Sequence, residues 1–440
     1  MTALNRRRLA ASAVLAAAAL GAAACGSSGN QAAANAPVTL TILTHINPPT
    51  QQALATLNAA FHKKYPNITV SVDAVDTNNV QSVRNTRMTA KNLDITEVFP
   101  FQGAANPSYV KGQPPNLWGQ LISAGKFVNL KGQSFLKEWS PSALQTVGEA
   151  QGGTYAIPTG RDIVTGLYYN KAIFAQYHLS VPTTWNQLVS VVNTLKAHGV
   201  SPFIIGGKDG WTNGMPWIDL MQSLYPTVAD KQALDKSLWT GTAAYTDPTN
   251  VQVMSELQTI FKNTTPGFAG VTNQQADGLF ANGKAAMFPE GSWEAPSILA
   301  ANPNVQMGYF PMPGSNNAAA NDQWGGKYEI GWSILSSSPH RDAALKWMAF
   351  YSDPKNYGPF ITTAGFIPAE PGISSSSFYN SLNITEQNFS LNYQNIATLP
   401  ANASQQAGFD YMDLAPLGKD SPTKLAQLEQ SAWTKALSNP

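Results

Sequence analysis

The stretch Val38–Thr44 reads Val-Thr-Leu-Thr-Ile-Leu-Thr. Apolar residues alternate with hydroxyls, and β-branched types dominate, which predicts a half-buried β-strand. Working outward, Gln51–Lys64 places Leu54, Leu57 and Phe61 on one helical face and stops before Pro66. Ile68–Val75 alternates again through Ile68, Val70 and Val72. A helix is predicted over Asn79–Ala90 and a third strand over Leu93–Phe99. Strands that alternate with helices predict an α/β fold with a largely parallel sheet.

A second α/β unit begins by about residue 165. Tyr155–Pro158 and Val164–Asn170 are short strand-like runs. Thr184–Ala197 predicts a helix capped by Thr184 and Gln187, with Trp185, Leu188, Val192 and Leu195 at helical spacing. Pro202–Gly206 predicts a buried strand, Lys327–Leu335 a long alternating one, and Lys424–Leu437 a closing helix. Trp185, Trp239, Trp347 and Trp433 read as structural.

Composition narrows the function. The chain has 440 residues, 43% hydrophobic but only 12% charged, with 11 Trp. Lys and Arg total 27 against 26 Asp and Glu, and three of the cations are Arg6, Arg7 and Arg8. Nothing here resembles the basic excess of a nucleic-acid protein. The five His are scattered and Cys25 is the only cysteine, so no zinc pattern exists and no metal or other cofactor is expected. Walker, Rossmann and Gly-x-Ser-x-Gly motifs are absent, and no catalytic residue is assigned. Low charge with abundant Trp, Tyr, Asn and Gln suits a protein that handles uncharged polar ligands.

Cys25 has a telling context. Arg6-Arg7-Arg8 is followed by the Ala/Leu-rich run Leu9–Ala24, about 16 residues and short for a membrane span, then Ala-Ala-Ala-Cys25-Gly. This resembles a bacterial lipoprotein signal over 1–24, with Cys25 as the lipidated residue and 25–37 a flexible tether. The Arg run resembles a twin-arginine export signal only weakly, so the export route stays open. The expected location is the outer face of the cytoplasmic membrane.

Further blocks carry a family resemblance. Tyr155-Ala-Ile-Pro158, Gly166-Leu-Tyr-Tyr-Asn-Lys171 and Pro182-Thr-Thr-Trp185 come first. Phe280-Ala-Asn-Gly-Lys-Ala-Ala-Met287 with Gly291-Ser-Trp293 follows, then Gly308-Tyr-Phe-Pro-Met-Pro313 with Gly325-Gly326. Together, over roughly 38–370, they resemble the extracellular solute-binding proteins of sugar ABC importers, of the maltodextrin-binding type. The resemblance implies a two-lobed periplasmic-binding-protein-like fold (class II) with a ligand cleft between discontinuous lobes. It places lobe one at 38–160 with 308–352, and lobe two at 161–307 with 353–440, the return crossing falling near Gly308–Pro313. It implies a sugar or oligosaccharide ligand, permease subunits as partners, hinge closure and a monomer. An extracellular glycosidase, for which Glu97, Asp162 and Glu290 could supply carboxylates, a sugar-binding lipoprotein without transport, and a binder of a non-sugar solute are the alternatives.

A sugar needs aromatic platforms for its C–H faces and fixed polar groups for its hydroxyls. Trp293 is the leading platform by resemblance, with Glu290 beside it. Arg161 and Asp162 lie in the first crossing. Trp324, Gly325 and Gly326 precede the long strand, where glycines admit a ligand to the backbone. Trp211 and Trp217 flank a loop after a strand end, where open α/β sheets bind ligands. His45 and Asn47 end the first strand, and Glu97, Phe99 and Gln102 the third. Tyr411, in the tail beside Asp410, is a candidate to close over the ligand.

Overall fold

The computed structural model describes residues 36–99, 105–385, 387–391, 399 and 411–438; Cys25, the segment before it and Gln102 lie outside them. The first strand runs Val38–His45 and pairs in parallel with Ile68–Val75 on one side and Ile95–Val98 on the other. Helices Pro48–Lys64 and Val80–Ala90 connect them. Asn47 caps the first helix, its Oδ1 accepting from Thr50 N at 3.0 Å, and Pro48 and Pro49 preset its first turn.

Two strands from far along the chain complete this sheet. Gly331–Ile334 lies antiparallel to Ile95–Val98, and Ile157–Pro158 lies antiparallel to Gly331–Ile334. The expected parallel order therefore holds for the first three strands only. Leu40, Ile42, Leu54, Phe61, Ile95, Trp332 and Trp347 form the core beneath them.

A second body has its own core, including Leu167, Leu188, Val192, Phe203, Leu257 and Met287. Its sheet is antiparallel, with Leu167–Asn170 between Met307–Phe310 and Met287–Pro289. Pro202–Gly206 makes only isolated bridges at Phe203 rather than the expected strand. Thr184 caps Trp185–Ala197 as its sequence predicts, accepting from Gln187 N.

A third, small sheet joins the two bodies. Trp324–Tyr328 pairs antiparallel with Arg161–Ile163 and parallel with Phe389–Leu391. The single strand predicted over Lys327–Leu335 is thus two strands in two sheets, broken at Glu329 and Ile330. Two expected boundaries move as a result. Met307–Phe310 belongs to the second body's sheet, so the chain rejoins the first sheet at Gly331, not near 308–313. Helix Pro354–Ala364, expected with the second body, buries Tyr357, Phe360 and Ile361 in the first core.

Candidate ligand-binding site

A cavity of about 460 Å³ opens where strand ends of the first body meet loops of the second, with the joining strand along one side. Three groups of residues build it.

The first group hangs from the first sheet. His45, at the end of its strand, lines the cavity, as do Asn47 and Phe99. Glu97 lies fully buried behind His45. One carboxylate oxygen, Oε2, accepts from the His45 ring Nδ1 at 2.9 Å, from His45 N at 2.9 Å and from Thr44 Oγ1 at 2.6 Å. Asp76 and Thr77 line the same wall.

The second group is the joining strand. Lys327 and Glu329 point into the cavity, with Lys327 Nζ 2.5 Å from Glu329 Oε2. Glu329 Oε1 lies 3.6 Å from His45 Nε2, so the imidazole sits between two carboxylates. Burial pulls the His45 pKa down, but Glu97 and Glu329 outweigh it and the net shift is upward. Burial likewise opposes ionisation of Glu329, yet Lys327 and His45 hold it below its ordinary range. Asp162, fully buried, is driven well above its ordinary range by burial and then by Glu329.

The third group comes from the second body. Trp293 sits in the short turn Ser292–Glu294, reached from strand Met287–Pro289. Ser292 Oγ accepts from Ile163 N at 2.9 Å and is 2.8 Å from Tyr379 Oη, which ties the turn to the joining strand. Trp211 faces Trp293 with ring centroids 6.3 Å apart at 49°, and Lys327 Nζ lies 4.7 Å from the Trp293 centroid. Helix Asn273–Ala281 starts under a reciprocal Thr272–Gln275 cap and brings Asn273 to the cavity. Asn273 N donates to Asp209 Oδ2 at 2.9 Å and its Nδ2 to Glu294 Oε1 at 2.7 Å. Burial raises Glu294 to about 7.

Of the residues expected from sequence, the cavity gathers Trp293, Trp211, His45, Asn47 and Phe99. The others have different places. Glu97 supports His45 from behind. Glu290 is fully buried, its Oε1 accepting from Gly291 N and its carbonyl from Tyr309 Oη. Arg161 donates to Pro368 O at 3.2 Å, and Asp162 meets Tyr379 and Glu329 inside the fold. Trp324 stacks on Tyr309 at 5.3 Å and 14°, buried away from the cavity. Gly325 and Gly326 serve packing: a Cβ on Gly326 would stand 2.2 Å from the Phe389 ring. Trp217 and Tyr411 stack on each other at 5.3 Å, outside the cavity.

Lys327, Glu329, Asn273, Glu294, Asp209 and Asp76 were not anticipated. Two of them had a signal. Lys327 near the end of the joining strand and Glu329 just past it stand at i, i+2 spacing, just after the glycines. For Glu294, adjacency to Trp293 was the only hint. Among the described residues no group of His, Cys, Asp and Glu is arranged to hold a metal.

Known proteins share this architecture. The solved structure of a chitin oligosaccharide binding protein superposes with a TM-score of 0.73 at 20% identity, covering 92% of this chain and all of that one. The SBP RafE, solved in complex with raffinose, gives 0.70 at 20% identity, covering 90% and 99%. The fold is therefore the two-lobed α/β fold of those proteins. In sequence, the "Multiple sugar-binding protein" of Streptococcus mutans is 26% identical over 279 residues, 61% of this chain and 63% of that relative, so the match spans less than two thirds of its length. The "Melibiose/raffinose/stachyose-binding protein MelE" of Bacillus subtilis is 23% identical over 337 residues, 75% of this chain and 74% of that one. The family model described as bacterial extracellular solute-binding protein matches residues 47–358, which takes in most of both bodies and the joining strands Arg161–Ile163 and Trp324–Tyr328, and the chain belongs to that family.

Proposed function

We propose that this protein captures a carbohydrate in the cavity between its two bodies and delivers it to the membrane permease of an ABC importer. The observation that carries this is the cavity wall itself. Two indoles, Trp211 and Trp293, meet at an angle beside polar groups already fixed by hydrogen bonds. Flat aromatic faces suit sugar C–H surfaces, and fixed acceptors suit hydroxyls. The sugar-binding relatives support the same reading.

The two bodies are the lobes: one built on 38–158 with 331–369, the other on 164–312, joined through 161–163 and 324–330. A ligand that touches residues of both stabilises the closed arrangement by its differential affinity for it. Lipidation of Cys25 would hold the body outside the cell. No described helix is long and apolar enough to cross a membrane. The glycosidase alternative named Glu97, Asp162 and Glu290, and none of the three lines the cavity.

The test is thermal unfolding of the intact chain against neutral mono- and oligosaccharides. A ligand at about 100 times its Kd adds about 2.7 kcal/mol to stability. A melting shift with one sugar class supports the reading, and a panel without any shift contradicts it.

A further inference from the structure

The segment 105–116, which leads into helix Leu117–Ser123, is built to be stiff. Pro107 O accepts from Val110 N at 3.0 Å and closes a turn with Ser108 and Tyr109 at its corners. Asn106 Nδ2 donates to Gln113 O at 3.1 Å and to Pro114 O at 3.0 Å, which ties the two ends of the loop together. Pro107, Pro114 and Pro115 fix φ along it. Asn116 then caps the helix, its Oδ1 accepting from Gly119 N, and Trp118, Leu121 and Ile122 anchor that helix in the first core. Tyr109 is therefore carried by the first body.

Its partner belongs to the second. Tyr109 Oη donates to Asp235 Oδ2 at 2.7 Å, across 126 residues of sequence. Asp235 sits on helix Val228–Thr240, which starts under a reciprocal Thr227–Asp230 cap and ends at Gly241 in the left-handed region. That helix packs Leu234 against the second core and Leu238 against Tyr245 and Trp433. Asp235 is only 2% exposed, so its carboxylate is held in place and shielded from water. Burial, and then the bond to Asp235, raise the Tyr109 pKa, so the phenol remains a donor through the neutral range. Neither residue lines the cavity. The bond can act on a ligand there only through the arrangement of the two bodies.

We propose that Tyr109 and Asp235 form a clasp that holds the two bodies in the arrangement enclosing the cavity, and so sets the affinity for its ligand without touching it. The clasp is independent of which ligand the cavity takes. A bond made in the enclosed arrangement shifts the population towards it, and apparent affinity falls with the fraction of molecules in the binding-competent state. Hydrogen bonds to a charged acceptor are among the stronger ones, so losing this one should weaken binding about tenfold.

The experiment compares the intact chain with Tyr109→Phe, which keeps the ring and removes the donor, and with Asp235→Asn, which keeps an acceptor but not the charge. Small-angle X-ray scattering without added ligand reads the arrangement directly. Tyr109→Phe is expected to have a larger radius of gyration with unchanged far-UV circular dichroism, and Asp235→Asn a smaller increase. The double variant should expand no more than Tyr109→Phe alone, because both substitutions remove the same bond. Calorimetric titration with the neutral sugar that most raises the melting temperature should show binding to Tyr109→Phe weakened about tenfold. The ratio between that sugar and the next best should stay the same, since the clasp contacts neither. Scattering curves that superimpose, or an affinity within twofold of the parent chain's, would overturn the inference. So would substitutions whose effects simply add, or an altered ratio between the sugars. If no sugar binds the parent chain, the carbohydrate reading falls, while the scattering comparison still decides the clasp.

Discussion

Glu97 is the residue on which the first wall of the cavity depends. It is fully buried, and one oxygen collects three donors from Thr44 and His45. Removing one partner of a buried charged pair typically costs about 3–5 kcal/mol, because the other is left uncompensated. Glu97→Ala should lose stability of that order in urea unfolding, and a loss below about 1 kcal/mol would show that His45 does not rely on it. The titrating groups around it also set a pH dependence. His45 is raised from 6.5, so its contribution is complete below 6.5 and is lost as pH rises through its folded value. Glu294, raised from 4.5 to about 7, is complete below 4.5 and lost as pH rises towards 7 and beyond. Glu329 is lowered from 4.5, so its contribution is present above 4.5 and is lost as pH falls through its folded value. The stability maximum should lie on the acid side of neutrality. The melting temperature is expected to fall between about pH 6 and pH 8, and a rise over that interval would contradict the assignments.

At the scale of elements, the turn Gly291–Glu294 decides where the indole of Trp293 stands. A Cβ on Gly291 would lie 2.1 Å from two atoms of that ring, so only glycine lets the turn fold against its own indole. Gly291→Ala should shift the ring and weaken carbohydrate binding several-fold. Unchanged affinity in a binding titration would mean that the ring's position is unimportant. The elements themselves were largely legible in the sequence. Val38–His45, Pro48–Lys64, Ile68–Val75, Val80–Ala90 and Trp185–Ala197 follow from periodicity and caps, because each buries one face locally. The break at Glu329 and Ile330 was not legible, since alternation tells which face is buried but not which sheet covers it. The site divided in the same way. Aromatics at strand ends, Trp211, Trp293 and Phe99, were found by chemistry. Asn273 and Asp209 were missed because they are joined only by a contact 64 residues apart in sequence. Trp324 misled because a Trp beside glycines fits a platform as well as it fits the stack on Tyr309 that it makes.

In the whole molecule, two bodies share a short joining sheet, Trp293 and Met215 of the second body pack into the first core, and the cavity takes residues from both bodies and the joining strand. Stacking on Trp293 should supply a substantial part of the affinity, since aromatic contacts add about 0.5–1.5 kcal/mol beyond the area they bury. The most direct test is a paired calorimetric titration of the intact chain and its Trp293→Ala variant with the sugar that most raises the melting temperature. The substitution should weaken binding at least about tenfold, or 1.4 kcal/mol, while the unliganded protein stays folded. Affinities that agree within twofold would contradict it, because the sugar would then be bound somewhere other than against this wall.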